Sequence, residues 1–390
     1  MKLLVAGAGI GGLTAALAAL RKGIEVEVYE QARELKEVGA GVQLSANGTR
    51  VLYALGVGEA LKALSCEAGS KELHLWNTGE TWTIFDLGKV SVERYGYPYF
   101  TVYRPDLLSV LADAVGRERI HLGRKCLGFT QDGEKVQLAV EGHPPVTGDA
   151  LVGADGVHSR IRQALFGADQ PQFSGIVAWR GIVPMERLPR HLHRMVGHNW
   201  VGPGGHVVHY PLRAGKVMNF VGALERSDWQ VESWSARGST EELAADFAGW
   251  HQDVHALIRG IPVPYKWALM VRPPMPRWSV GRVTLLGDAC HSMVPFLAQG
   301  AVMAIEDGLV LARCLAQFPV AEALAKYEGA RRERTRRAVE GSADNIGRFH
   351  NKALADPAGA RAYVEREWAG QNVAARYEWL FRYDAASAPL

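Results

Sequence analysis

The feature that most constrains the fold is a glycine pattern set between an apolar strand signal and a helix signal. Residues 2–6 are a short apolar run, Gly7-x-Gly9-x-x-Gly12 follows, and an Ala- and Leu-rich stretch occupies 13–20. The apolar run suits a strand buried on both faces. The Ala/Leu stretch suits a helix, with Gly23 just past its last turn. An alternating, β-branched segment at 24–29 is a second strand, which completes a βαβ unit. Each glycine then has its own task. Gly7 permits the tight turn, Gly9 lets backbone approach a pyrophosphate, and Gly12 lets helix lie close to strand. The helix N-terminus offers N–H groups to phosphate. Glu30, at the end of the second strand, is placed to accept hydrogen bonds from ribose hydroxyls. The pattern predicts a dinucleotide site and leaves NAD and FAD both open.

Further along, residues 71–86 hold two strand-like runs around Asn77-Thr78-Gly79, a hairpin signal. A helix is expected over 104–115, with Pro105 in its first turn. A second hairpin spans 127–140, turning at Gln131-Asp132-Gly133. Residues 150–154 are a short apolar strand running into Asp155-Gly156. From 175 to 222 the pattern is antiparallel β, with strands near 176–185, 206–210 and 217–221, and short helices follow at 240–249 and 254–258. An apolar strand at 283–286 then runs into Gly287-Asp288, with a long helix over 300–316. The tail after Pro319 is helical and rich in arginine. The expected fold is α/β: a Rossmann-like nucleotide-binding domain with an inserted antiparallel β-sheet substrate domain and a helical C-terminal extension. The boundaries are 1–70, 97–172 and 271–318 for the first, 71–96 and 173–270 for the second, and 319–390 for the third.

Charge and composition exclude other classes. The 390 residues carry 44 basic and 41 acidic side chains, a net +3, which makes no electrostatic case for nucleic acid. It is compatible with an anionic small ligand. No stretch of about 18 apolar residues marks a membrane span. The first apolar run is too short, and too broken by glycine, for a signal peptide. Cys66, Cys126, Cys290 and Cys314 are far apart, with no CxxC pair. That spacing argues against a metal site or a disulfide framework, and fits a reduced, cytoplasmic setting.

Two later segments sharpen the ligand. Asp155-Gly156 in ALVGADGVHSRIR and Gly287-Asp288 in VTLLGDACHSMVP resemble the second and third signatures of class A flavoprotein aromatic hydroxylases. With the glycine turn, three ordered motifs extend the resemblance over nearly the whole chain. It implies FAD as cofactor and NADH or NADPH as co-substrate. It also implies insertion of one atom of dioxygen into an activated ring through a flavin hydroperoxide. Asp288 then accepts from the ribitol chain. The helix beginning near Gly300 aims its N-terminal dipole at the flavin pyrimidine edge, with Gln299, Gly300 and Ala301 beside the flavin. Asp155 serves the nicotinamide nucleotide and the flavin, or else belongs to a helix cap before Ser159. Arg104 resembles the family's flavin-contacting arginine, and Arg33 is a weaker candidate. The loop from Gly39 to Gln43 passes the flavin ring, with Gln43 facing either ring or substrate.

For the reacting face, a strand at 206–210 puts His206, Val208 and Tyr210 on one side and His209 on the other. A neutral histidine is a suitable base for a phenolic substrate. The His206 and Tyr210 pair resembles a histidine and tyrosine of 3-hydroxybenzoate 6-hydroxylases and 6-hydroxynicotinate hydroxylases, with His209 as the rival. Pro295 stands where the family often places a proline against the reacting region, a salicylate-like feature. Arg180 and Arg213 are the candidate partners of a substrate carboxylate. The tail arginines fit a solvated or inter-helix face. The expected activity is hydroxylation of an aromatic or heteroaromatic hydroxy-acid. The alternatives are a urate-type or polycyclic tailoring monooxygenase and a non-enzymatic flavin module, and monomer and homodimer both stay open.

Overall fold

The computed structural model describes residues 1–35, 40–228 and 236–390. Leu3 to Ala6 are wholly buried, as a strand covered on both faces must be. Lys2–Ala6 accordingly lies inside a six-stranded sheet, not at its edge. The order is Ser279–Val280, Val283–Leu285, Ala150–Gly153, Lys2–Ala6, Glu25–Glu30 and Ile120–Leu122. All pairs are parallel except the antiparallel pair at the Ser279–Val280 edge. The expected βαβ start is present, with its helix at Ile10–Arg21 and Gly23 at φ +74°. That helix packs on the long helix Gly300–Leu315. The approach is close enough that a Cβ on Gly308 would lie 2.7 Å from the Ala15 nitrogen.

A second, seven-stranded sheet runs Tyr265–Val271, Gln172–Pro184, Val217–Glu225, Gly205–Leu212, Val196–Gly202, Ser70–Leu75 and Thr81–Asp86. It is antiparallel except where Ser70–Leu75 lies parallel to Val196–Gly202. Both expected hairpins form, Ser70–Leu75 with Thr81–Asp86 and Cys126–Gln131 with Val136–Val140. Helix Arg104–Val115 has the expected bounds. The helix expected over 240–249 is shorter, Thr240–Asp246: Phe247 already leaves helical geometry at φ −107°, ψ 29°, and Gly249 follows at a left-handed φ of +80°.

Several elements went unanticipated, among them a helix and a strand. Helix Ala46–Ala54 has a weakly apolar sequence. Strand Val196–Gly202 is buried at every position although it carries His198 and Asn199, and burial on both faces removes the polar alternation that betrays a strand.

The tail folds as helices Val320–Phe349, Pro357–Glu367 and Gly370–Phe381. Its arginines divide between the two expected faces. Arg336 is partly exposed and pairs with Glu333 and Glu340. Arg331 is wholly buried, 2.7 Å from both Glu306 and Asp307, and Arg334 reaches Glu306 at 2.8 Å. His291 Nε2 closes this network on Asp307 at 2.6 Å. Among the described residues, no helix is long and apolar enough to cross a membrane.

Candidate active site

A cavity of about 390 Å³ opens between the glycine turn and the seven-stranded sheet. At one end lie Gly9, Ile10 and Gly11. The three glycines differ in what surrounds them. A Cβ on Gly7, held at φ +104°, would sit 2.4 Å from the Ala154 carbonyl oxygen, and one on Gly12 would sit 2.0 Å from the Gly7 oxygen. A Cβ on Gly9 would meet nothing within 4 Å. Gly7 and Gly12 therefore hold strand against helix, and Gly9 keeps the mouth open. Glu30 accepts from the backbone N–H groups of Ala8 and Ala32, both at 2.8 Å. This clamps the turn and leaves each carboxylate oxygen a further lone pair.

Two helices point their N-termini at this cavity, Ile10–Arg21 and Gly300–Leu315, and neither has an acidic residue in its first turn. Gly300, Ala301, Asp288, Arg104 and Gln43 line the cavity as expected. The Asp288 carboxylate makes no hydrogen bond among the described residues. Free helix N–H groups, an available carboxylate and an arginine fit the phosphates and sugar hydroxyls of FAD. Gln43 accepts from the Tyr99 hydroxyl at 2.9 Å. Gly39 lies outside the described residues. Gly41 lets this loop sit directly on the sheet: its N–H donates to Asn219 Oδ1 at 2.8 Å, and a Cβ there would be 2.5 Å from the Tyr210 ring.

Other expected residues stand elsewhere. The side chain of Gln299 is turned into a buried network, donating to Ser45 Oγ at 2.9 Å and accepting from Asn47 at 3.2 Å. It supports the helix start and does not line the cavity. Asp155 accepts from Ser159 Oγ at 2.5 Å, Arg160 N at 2.7 Å and Ile161 N at 3.2 Å. It takes the helix-cap alternative, and its neighbours Ala154, Gly156 and Val157 line the cavity instead. Arg33 is exposed.

The seven-stranded sheet walls the other side. His206, Val208 and Tyr210 face the cavity. Alternation turns His209 to the opposite face, where Trp200 Nε1 donates to it at 3.1 Å. His209 is thereby removed from the reacting side. Pro295 begins a short 3-10 turn at the cavity edge, and Ala298 in the same turn holds a left-handed φ of +54°. Burial, reinforced by His350 and Lys71, holds the His206 pKa well below the ordinary imidazole value, so the ring is neutral. Its Nδ1 lies 2.7 Å from His350 Nε2, and His350 Nδ1 lies 3.1 Å from Glu225 Oε1. Burial raises the Tyr210 phenol, which stays protonated.

Of the two candidate cations, Arg213 is spent on a two-point bond to Asp106 at 2.8 and 2.7 Å over the Tyr103 ring. Arg180 does line the cavity, stacked 5.1 Å from the Trp267 ring centre. Two further cavity residues were missed. The buried Asn199 Oδ1 has no hydrogen-bond partner among the described residues. Lys71 is half-buried, lines the cavity and makes no hydrogen bond or ion pair among the described residues. Burial lowers its pKa to about 8. Its strand position, opposite Gly197 in the parallel pair, leaves room for the long side chain. Alternation with Leu73 and Leu75 was the available signal, but a lysine opening a strand reads as a surface residue.

Comparison with known proteins identifies the family. Residues 1–342 match the family model described as an FAD binding domain. A 3-amino-4-hydroxybenzoate 2-monooxygenase of Streptomyces platensis is 38% identical over 388 residues, covering 99% of this chain and 96% of its own. A 3-hydroxybenzoate 6-hydroxylase of Polaromonas naphthalenivorans is 36% identical over 400 residues, covering 99% and 97%. Among solved structures, Klebsiella pneumoniae HpxO complexed with FAD and uric acid aligns with a TM-score of 0.84 at 28% identity over 96% of each chain. The chain thus belongs to the FAD-binding family of flavoprotein aromatic hydroxylases and is a flavin-dependent monooxygenase.

Proposed function

We propose that this chain hydroxylates a monocyclic aromatic or heteroaromatic hydroxy-acid, salicylate-like or 3-hydroxybenzoate-like, using NADH or NADPH. One observation carries the reading: the same face of the sheet presents a neutral histidine, His206, and two cationic side chains, Lys71 and Arg180, to a single cavity. A ring bearing a phenol and a carboxylate matches both. His206 takes the phenol proton, which makes the ring carbons electron-rich. Tyr210, held protonated, donates to the substrate oxygen. Lys71 and Arg180 bind the carboxylate through charge-assisted hydrogen bonds. Pro295 shapes the opposite wall. Gly9, Arg104, Asp288, Gly300 and Ala301 hold the cofactor around the cavity, with Glu30 at the adenosine end and Gln43 between ring and substrate. Bound FAD, reduced by the nicotinamide, supplies the oxygen-transfer chemistry. We assign residues 1–70, 97–172 and 271–318 to cofactor binding, 71–96 and 173–270 to substrate binding, and 319–390 to support. A cytoplasmic location suits a consumer of the nicotinamide pool.

The relatives named for benzoates support this class over a purine. The fold likeness to a protein complexed with uric acid makes a urate-type substrate the second reading. The flavin-loaded protein, given NADH or NADPH and a panel of hydroxybenzoates, hydroxypyridine acids and purines, separates them. Hydroxy-acid-stimulated NAD(P)H oxidation, with a product heavier by one oxygen atom, is the expected result. Coupling to purines alone overturns the proposal.

A further inference from the structure

We propose that His206, His350 and Glu225 form a proton relay that carries the substrate's phenolic proton from the cavity to solvent. The inference rests on the hydroxy-acid reading above. Its basis is a continuous hydrogen-bonded chain, 2.7 Å from His206 Nδ1 to His350 Nε2 and 3.1 Å from His350 Nδ1 to Glu225 Oε1. The inner ring is 1% exposed and the His350 side chain 0%, whereas the Glu225 side chain is 53% exposed. One end therefore lies in the cavity and the other in water.

The carboxylate end fixes every tautomer. Ionised Glu225 can only accept, so His350 Nδ1 carries its proton. His350 Nε2 is then an acceptor, and His206 Nδ1 carries a proton for it. His206 is left with an unprotonated Nε2, its remaining nitrogen for the cavity, which is the form a general base needs. Burial keeps both rings neutral at rest, His350 at about 4 despite the raising influence of Glu225. The transfer balances without another reactant. The substrate O–H bond breaks as His206 Nε2–H forms; the Nδ1 proton of His206 passes to His350 Nε2; the Nδ1 proton of His350 passes to Glu225 and then to water. Each ring has its own support. His350 caps the C-terminal end of the long helix Val320–Phe349, where the dipole favours a transient cation. Phe296 and Phe349 flank His206 at ring distances of 4.6 and 5.1 Å, which keeps bulk water from bypassing the chain.

The test uses the oxidised, flavin-loaded enzyme without reductant. The probe is 3-hydroxy-4-nitrobenzoate, mixed in weak buffer at a pH where the free probe is phenolic. Difference absorbance follows phenolate formation, and an indicator dye follows proton release to the medium. In the wild type both signals should rise together, one proton per phenolate. Glu225→Gln, at a partly exposed site, should slow proton release at least tenfold with probe affinity retained. His350→Ala should do the same, and added imidazole should restore it. His206→Gln should abolish the phenolate signal. Phenolate and proton signals at wild-type rates in both Glu225→Gln and His350→Ala would overturn the relay alone. No phenolate in the wild type would overturn the hydroxy-acid reading, and the relay with it.

Discussion

At the residue scale, the cations decide what the cavity holds. Replacing Lys71 by Met removes a charge-assisted hydrogen bond worth ~1.5–3 kcal/mol, so the Kd for 3-hydroxybenzoate should rise ~10- to 100-fold. Plain phenol, which lacks the acid, should bind the variant and wild type alike in a flavin-fluorescence titration. Lys71 loses its charge as pH rises through about 8, so wild-type affinity for the acid should fall across that range while the Lys71→Met titration stays flat. The glycines yield a paired expectation. Gly9→Ala adds a methyl to open space, so the protein should fold and lose flavin affinity. Gly12→Ala drives a Cβ to within 2.0 Å of a backbone oxygen, so helix and strand must separate, and soluble, flavin-loaded protein should be lost. What was legible here was local. The glycine pattern states a backbone requirement in six residues, and the alternation of His206, Val208 and Tyr210 sorted His206 from His209. Lys71, His350 and Glu225 were illegible because their neighbours are set by strands and helices far away in sequence.

At the element scale, the link between Gly300–Leu315 and Val320–Phe349 bears on both the cofactor and the relay. Four charges meet there with 0–9% exposure, Glu306, Asp307, Arg331 and Arg334. Removing Arg331 takes from two buried carboxylates the one cation they share, leaving Glu306 to Arg334 and Asp307 to His291, and breaking such a buried network costs ~3–5 kcal/mol. Arg331→Met should therefore lower the denaturation midpoint sharply, with flavin released early in the melt. Burial alone would raise the Glu306 and Asp307 pKa values. For Glu306, Arg334 and Arg331 reverse that, and for Asp307, His291 and Arg331 do, so both end below the ordinary carboxylate range. A carboxylate lowered in the folded state stabilises above its unfolded pKa, and that contribution is lost as pH falls through the folded value. Helix Arg104–Val115 was legible with Pro105 marking its first turn. The arginine-rich tail was legible only as two alternatives, because helical spacing shows which residues share a face and not what the face meets.

At the scale of the whole molecule, His74, His198, His206, His209 and His350 are among the buried histidines and are held neutral. Burial lowers each folded pKa, so between the unfolded value near ~6.5 and the folded values, about 4 for His74 and His350, the unfolded chain binds more protons. Stability then rises with pH across that window and falls on acidification. The thermal midpoint should decline steadily from pH ~6.5 downward, before the carboxylates titrate. The α/β class and the alternation of nucleotide-fold and sheet segments were legible from three ordered motifs, while the parallel pairing of Ser70–Leu75 with Val196–Gly202 was not, since no local pattern reports a partner over a hundred residues distant. That long-range pairing has a counterpart in the first sheet, where Lys2–Ala6 is flanked on one side by Ala150–Gly153. On the ribosome, the glycine turn emerges well before that flanking strand. At ~5–20 residues per second, the open edge of the first strand waits on the order of ten seconds for its neighbour. Every newly made copy therefore passes through a period in which that apolar β-edge has no partner of its own chain and is open to pairing with another.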